Sequence, residues 1–260
     1  MLKLKIGLQL ESLKLPFRQA LQVAAELGVQ AVEINARTEL RPENLSRTGV
    51  RHVRKLLADL KLAVCSVHFP TRRGYGEAED LEKRVDATKA AMSMAYELGC
   101  NVVVNRIGSI PDNKEADHWS MLLQALSDLG RHAQLSGAWL AARTGADSGQ
   151  RLADLIAALP SGALHVDFDP GSLIMNGHSA DGAMQKLADQ VVSFRAFDGV
   201  RDGSGSAMHV QLGRGSADFP LLFSLLEEKR FGGYVIIERR ADQDAIASCQ
   251  QTIEYLQSLF

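Results

Sequence analysis

Eight apolar runs of strand length alternate with amphipathic stretches of helix length along the whole chain, and few architectures accommodate that rhythm. The runs are LKIGLQL from residue 4, VQAVEIN from 29, LAVCSVHF from 62, NVVVNRI from 101, AWLAART from 138, LHVDFD from 164, VVSFRAF from 191 and GYVIIE from 233. Between them lie segments such as FRQALQVAAELG, where Phe17, Leu21, Ala24 and Leu27 recur at helical spacing on one face. Ile246, Cys249, Ile253 and Leu256 predict the same kind of stripe for the closing helix. Helices are expected to stop at the glycines of ELGV, ELGC and LSGA, since glycine accepts a left-handed C-terminal cap. Strands that are apolar on both faces need cover on both sides, and helical crossovers make neighbouring strands parallel. Eight such units in 260 residues predict an α/β protein, a closed (β/α)8 TIM barrel forming one domain over residues 1–260. No linker or composition shift divides the chain. VRDGSGSAMHVQLGRGSADFP, residues 200–220, reads as a long loop after the seventh strand, on the face where barrels carry function.

The charge balance excludes several classes of partner. The formal net charge is −2, and RHVRK at 51–55 is the one compact basic cluster, best read as a solvated helix face. Nucleic acid is therefore not an expected partner. No window approaches the ~18 to 20 apolar residues of a membrane span, and MLKLKIGLQL lacks the pattern of a secretory signal. A soluble cytoplasmic protein without membrane partners is expected. Cys65, Cys100 and Cys249 are widely spaced in apolar surroundings and predict reduced core thiols.

Residues at the C-terminal ends of barrel strands converge on one pocket. Here those ends supply Gln9, Glu33, His68, Asn105 with Arg106, Arg143, Asp169, Arg195 and Glu238. Any one of them reads well as a cap or a neighbour's partner; together they outnumber what capping requires. Arg195 is the sharpest of them. The strand VVSFRAF delivers a guanidinium that cannot lose its charge, so either a ligand or the protein's own carboxylates must meet it.

The segments KIGLQLESL, VEIN, LAVCSVHFP, FDPGSLI and LGRGSADFP, the last followed by GYVIIER, together resemble the sugar phosphate isomerase/epimerase family with its xylose-isomerase-like TIM barrel. The resemblance spans nearly the whole chain. It implies one divalent metal, often manganese, held by Glu, Asp, His and Glu at the ends of barrel strands five to eight, with the two glutamates as the acid/base pair. Asp169 and Glu238 match two of those positions, but Arg143 stands at the first glutamate and Arg195 at the histidine. A guanidinium has no lone pair for a metal. The implied metal site is thus degenerate, with Asp169 and Glu238 as vestigial ligand positions that Arg143 and Arg195 are expected to pair and hold ionised. The four pairing charges would sum to zero. No cofactor is then expected.

Three readings follow. The first is a metal-free isomerase or epimerase with Glu238 or Glu33 as base and arginine as electrophile. Its ligand would be a sugar phosphate, sugar acid or similar polyhydroxylated anion, bound by His68, Asn105, Arg106, Arg143, Arg195, Asp198 and Arg214. The second is a non-catalytic relative that binds a ligand or serves as a structural subunit. The third is a metal-dependent isomerase that recruits manganese or another divalent ion through His68, Glu33, Asp169 and Glu238. The resemblance also implies that homo-oligomers are common. DNA-repair endonucleases sharing this barrel use many histidines for zinc; His68 is the one strand-end histidine here, which argues against that activity.

Overall fold

The computed structural model describes residues 4–239 and 244–259. Eight parallel strands close a barrel: β1 (Ile6–Gln9), β2 (Ala31–Asn35), β3 (Ala63–His68), β4 (Val102–Asn105), β5 (Trp139–Arg143), β6 (His165–Phe168), β7 (Val191–Ala196) and β10 (Tyr234–Ile237). They pair in chain order, and β10 closes the ring between β7 and β1. Every expected strand is present. Most strand residues are buried because barrel filling covers one face and helices cover the other.

The helices begin where side chains satisfy the first free N–H groups. Ser46 caps α2 (Arg47–Asp59), Ser148 caps α5 (Gly149–Ala158) and Ser179 caps α7 (Ala180–Leu187), each accepting from the backbone three residues on. The remaining helices are α1 (Phe17–Glu26), α3 (Leu81–Glu97), α4 (Asp117–Ser136), α6 (Pro170–Met175), α8 (Phe219–Glu228) and α9 (Ala245–Ser258). Gly28, Gly99 and Gly137 follow α1, α3 and α4 with φ of 76°, 83° and 76°, as the sequence predicts. Phe168 and Phe194 stack at 5.8 Å, and Phe194 meets Phe223 of α8 at 5.1 Å, so aromatic packing fixes β6 and β7 against that helix. In α9, Cys249, Ile253 and Leu256 are buried as expected. Ile246 is not: it is 42% exposed. All three cysteines are buried, and none is joined in a disulfide.

The segment after β7 departs from the expected loop. It forms an antiparallel hairpin, β8 (Asp198–Arg201) and β9 (Ala207–Val210), turned by Asp202, whose carboxylate accepts from the backbone of Ser204 and Ser206. The residues that follow are tied down by Asp198. Its two oxygens accept from the N–H groups of Gly199, Gly213, Gly215 and Ala217. A Cβ at position 215 would collide with that carboxylate, which explains the glycine there.

Candidate active site at the barrel mouth

Strand register places polar side chains in a ring inside the barrel. Gln9 lies opposite Glu33 and Glu33 opposite Ser66, while Arg143 lies opposite Asp167 and Asp167 opposite Ser193. Arg195 crosses this ring. Its Nε donates to both oxygens of Asp167 at 3.0 and 2.8 Å, and its Nη1 and Nη2 grip Glu33 at 2.7 and 2.5 Å. The guanidinium is fully buried, with every nitrogen engaged by carboxylate. Ser66 and Gln9 donate to the same Glu33 carboxylate at 2.6 and 3.0 Å, and Ser193 donates to Asp167.

Arg143 makes a second tier. Its Nε donates to Asp167 at 2.9 Å and its Nη1 to Glu238 at 2.8 Å, while its Nη2 stands 3.9 Å from Glu33. The five bonded groups, two cations and three carboxylates, carry one net negative charge. This corrects the expected neutral set. It equals the net charge of the two glutamates, aspartate, neutral histidine and divalent ion that the resemblance implied.

Asp167, not Asp169, is the carboxylate that both arginines share. Asp169 caps α6 instead, accepting from Ser172 N at 2.8 Å and Ser172 Oγ at 2.6 Å. Burial and the nearby Glu238 push its pKa upward, against Arg143 and the two Ser172 hydrogen bonds, which lower it. Burial alone would also raise Glu33, but Arg195, His68 and Arg143 outweigh it and bring that carboxyl down to about 2. Glu33 is completely buried and clamped on both oxygens. It is therefore a poor base, contrary to its expected catalytic role. Arg195, equally sealed, does not reach a ligand from this position and is corrected from ligand contact to support beneath the site.

The remaining candidates divide between cavity and wall. One cavity of about 490 Å³ is bordered by Gln9, His68, Arg143, Glu238 and Arg239. A second of about 470 Å³ extends over β4 to β6, reaching Arg72, Ser109, Asp147 and Asn176. Thr71, Arg106 and Arg143 border both. His68 is half-buried; burial and then Arg143 lower its pKa to about 4, leaving a neutral imidazole at pH 7. Asn105 turns into the wall, where its amide donates to Tyr75 at 2.6 Å and accepts from Thr71 at 3.0 Å. Its expected ligand contact gives way to this internal network. Asp198 is corrected likewise, its carboxylate being engaged by the four N–H groups above. Arg214 is exposed on the loop that Asp198 holds and borders neither cavity.

Asp167, Ser66 and Ser193 were not among the sequence candidates. The signal was there: Asp167 and Asp169 share a face at strand spacing, and each serine interrupts an apolar strand at an inward position. Their donor set does not suit a divalent ion. Two of the groups converging on the centre are guanidinium donors, and among the described residues no three His, Cys, Asp or Glu side chains are disposed to hold a metal. In the rearranged set His68, Glu33, Asp169 and Glu238, Glu33 is engaged by Arg195 and Asp169 accepts from Ser172.

Comparison with known proteins agrees with this architecture. Residues 21–259 match the family model described as xylose isomerase-like TIM barrel. An inosose dehydratase from Clostridium beijerinckii is 23% identical over 268 residues, covering 89% of this chain and 84% of that one. The crystal structure of a xylose isomerase domain protein from Planctomyces limnophilus superposes with a TM-score of 0.83 at 23% identity, covering 92% of this chain and 91% of that one. A D-tagatose 3-epimerase-like protein gives 0.80 at 22% identity, covering 98% of both. Among the described residues no helix is long and apolar enough to cross a membrane. With closed barrel, strand-end site and family model in agreement over nearly its full length, the chain belongs to the xylose isomerase-like TIM barrel family.

Proposed function

We propose that this protein acts on a small, polyhydroxylated, anionic carbonyl compound as a metal-free isomerase or epimerase. The carrying observation is Arg143, which replaces an expected metal ligand, borders both cavities and lies 2.8 Å from Glu238. Glu238 takes the proton from the carbon beside the carbonyl. The C–H electron pair becomes a C=C bond, and the carbonyl π pair moves to oxygen, where the Arg143 guanidinium balances the charge. Return of the proton by Glu238 to the neighbouring carbon, with the hydroxyl proton moving between oxygens, gives the isomer; protonation of the first carbon from the opposite face by a cavity water, which regains its proton from Glu238, gives the epimer. The same first step opens dehydration, which accommodates the relative named inosose dehydratase. Arg72 and Arg106 at the cavity border favour a phosphate or carboxylate on the ligand.

One observation favours a non-catalytic binding role: Glu33, the second expected glutamate, is sealed by Arg195, leaving Glu238 to act without it. Thermal shift against sugar phosphates, sugar acids and neutral sugars, followed by deuterium incorporation from D2O, tests both readings. Stabilisation by the anionic compounds with exchange of a carbon-bound proton is expected. Stabilisation by neutral sugars alone would sink the anionic assignment, and binding without exchange would establish the non-catalytic role.

A further inference from the structure

Buried polar atoms in native proteins almost always find a hydrogen-bond partner, so exceptions ask for a reason. Among the described residues two buried side-chain nitrogens have no protein partner: His68 Nδ1 and Arg143 Nη2. Both residues border the same cavity, the one that Glu238 also borders. Their surroundings are otherwise well matched. Glu33 receives Gln9, Ser66 and Arg195, and Asp167 receives Ser193 and both arginines. The carboxylate oxygen of Glu33 stands 3.9 Å from Arg143 Nη2, beyond hydrogen-bond length.

The two atoms differ in what they can recognise. A guanidinium nitrogen only donates, whereas a neutral imidazole carries one donor and one acceptor. Burial and then Arg143 oppose protonation of His68, so the imidazole keeps a lone pair; in the Nε2–H tautomer that lone pair is on Nδ1. We propose that His68 Nδ1 and Arg143 Nη2 together form a subsite for the adjacent oxygens of an α-hydroxycarbonyl ligand, Arg143 donating to the carbonyl oxygen and His68 accepting from the hydroxyl. This deepens the reading above and rests on it for the class of compound. Glu238, ion-paired to Arg143, borders the same cavity, where the hydroxyl-bearing carbon of such a ligand would be held. A hydroxyl-free carbonyl compound leaves His68 unmatched and binds less well.

Calorimetric titration with two neutral probes tests the subsite. 3,4-Dihydroxybutanohydroxamate presents a carbonyl oxygen beside an N-hydroxyl, and 3,4-dihydroxybutanamide is the same molecule without that hydroxyl and with none on the carbon next to the carbonyl. The protein should prefer the hydroxamate by about tenfold or more, the discrimination expected of one buried hydrogen bond. His68→Phe should lose that preference while still binding the amide, and His68→Gln, whose amide oxygen accepts, should restore part of it. Equal affinity for both probes, no binding of the hydroxamate, or an undiminished preference in His68→Phe would each overturn the proposal. The outcome is separable from catalysis: preference without deuterium exchange of sugars keeps the subsite and removes the isomerase, and exchange without preference does the reverse.

Discussion

Two arginines stand within one ionic network, yet the β7 end and the β5 end of the barrel use them differently. Arg195 is completely buried and meets carboxylate at every nitrogen, so it completes the interior. Arg143 faces two cavities and keeps one nitrogen unpartnered. The same residue type closes all its hydrogen bonds at one end and, at the other, keeps the open one on which the proposed function rests. Depth in the barrel, not residue identity, separates the two roles.

The largest effect should come from Arg195→Met, which leaves Glu33 and Asp167 buried without their main cation. Urea unfolding should show a loss of about 3 to 5 kcal/mol. Arg143→Met should cost less, about 1 to 3 kcal/mol, because Asp167 retains Arg195 and the Glu238 side lies near solvent. Equal losses would erase the distinction between the two tiers. Adding Glu33→Met to Arg195→Met should recover part of the loss, since an apolar pair often replaces a buried ion pair without penalty.

The next contrast is chemical. Arg143→Glu with Arg195→His returns a ligand set of the implied family type, and manganese should then raise the melting temperature of the double variant while leaving the parent unchanged. The apo double variant should melt well below the parent, because Glu33 and Asp167 lose their cation. A parent that responds to manganese would show that the guanidinium groups do not displace a metal.

The smallest effect is in the pH dependence. His68 is lowered from 6.5 to about 4 in the fold, so only the unfolded chain takes up its proton in that window, and stability falls as pH drops through it. Glu39 runs the other way. Burial, with Glu11 and Glu33 nearby, raises it from 4.5 to about 7, so its contribution is present below 4.5 and is lost as pH rises through 7. The two should nearly cancel between pH 4.5 and 6.5. Glu39→Gln should expose a decline toward acid and His68→Gln a rise, each at most about 1.4 kcal/mol per pH unit. Below pH 4.5 stability should fall steadily as Glu33, held at about 2, begins to bind its proton only in the unfolded chain.

The eight barrel strands were legible because their residues are apolar on both faces, a pattern that survives without any knowledge of partners. The hairpin of β8 and β9 was not. AMHV lies among glycines and serines, and its strand state depends on pairing with Asp198–Arg201 and on the Asp202 turn. In the site, the convergence of Arg143 and Arg195 on the barrel mouth was readable from strand position alone. The choice of Asp167 over Asp169 was not, because the two alternate onto the same face and differ in depth. Depth is set by the register of β6 against β5 and β7. Glu33 illustrates the same limit: sequence placed it at a strand end, but only closure of the barrel brings the guanidinium that silences it.

That closure has a consequence for how the chain reaches its fold. Arg195 and Glu33 are 162 residues apart in sequence, on β7 and β2. A folding intermediate that has assembled only the first strands encloses a carboxylate whose counterion has not yet arrived. One that has assembled only the last strands encloses the guanidinium with Asp167 but without Glu33. Contacts of such long range form slowly, and partial barrels gain little until they form. The ionic strut across the lumen therefore penalises half-built barrels from both ends, and folding should proceed to ring closure in one cooperative step with the salt bridge among its final contacts.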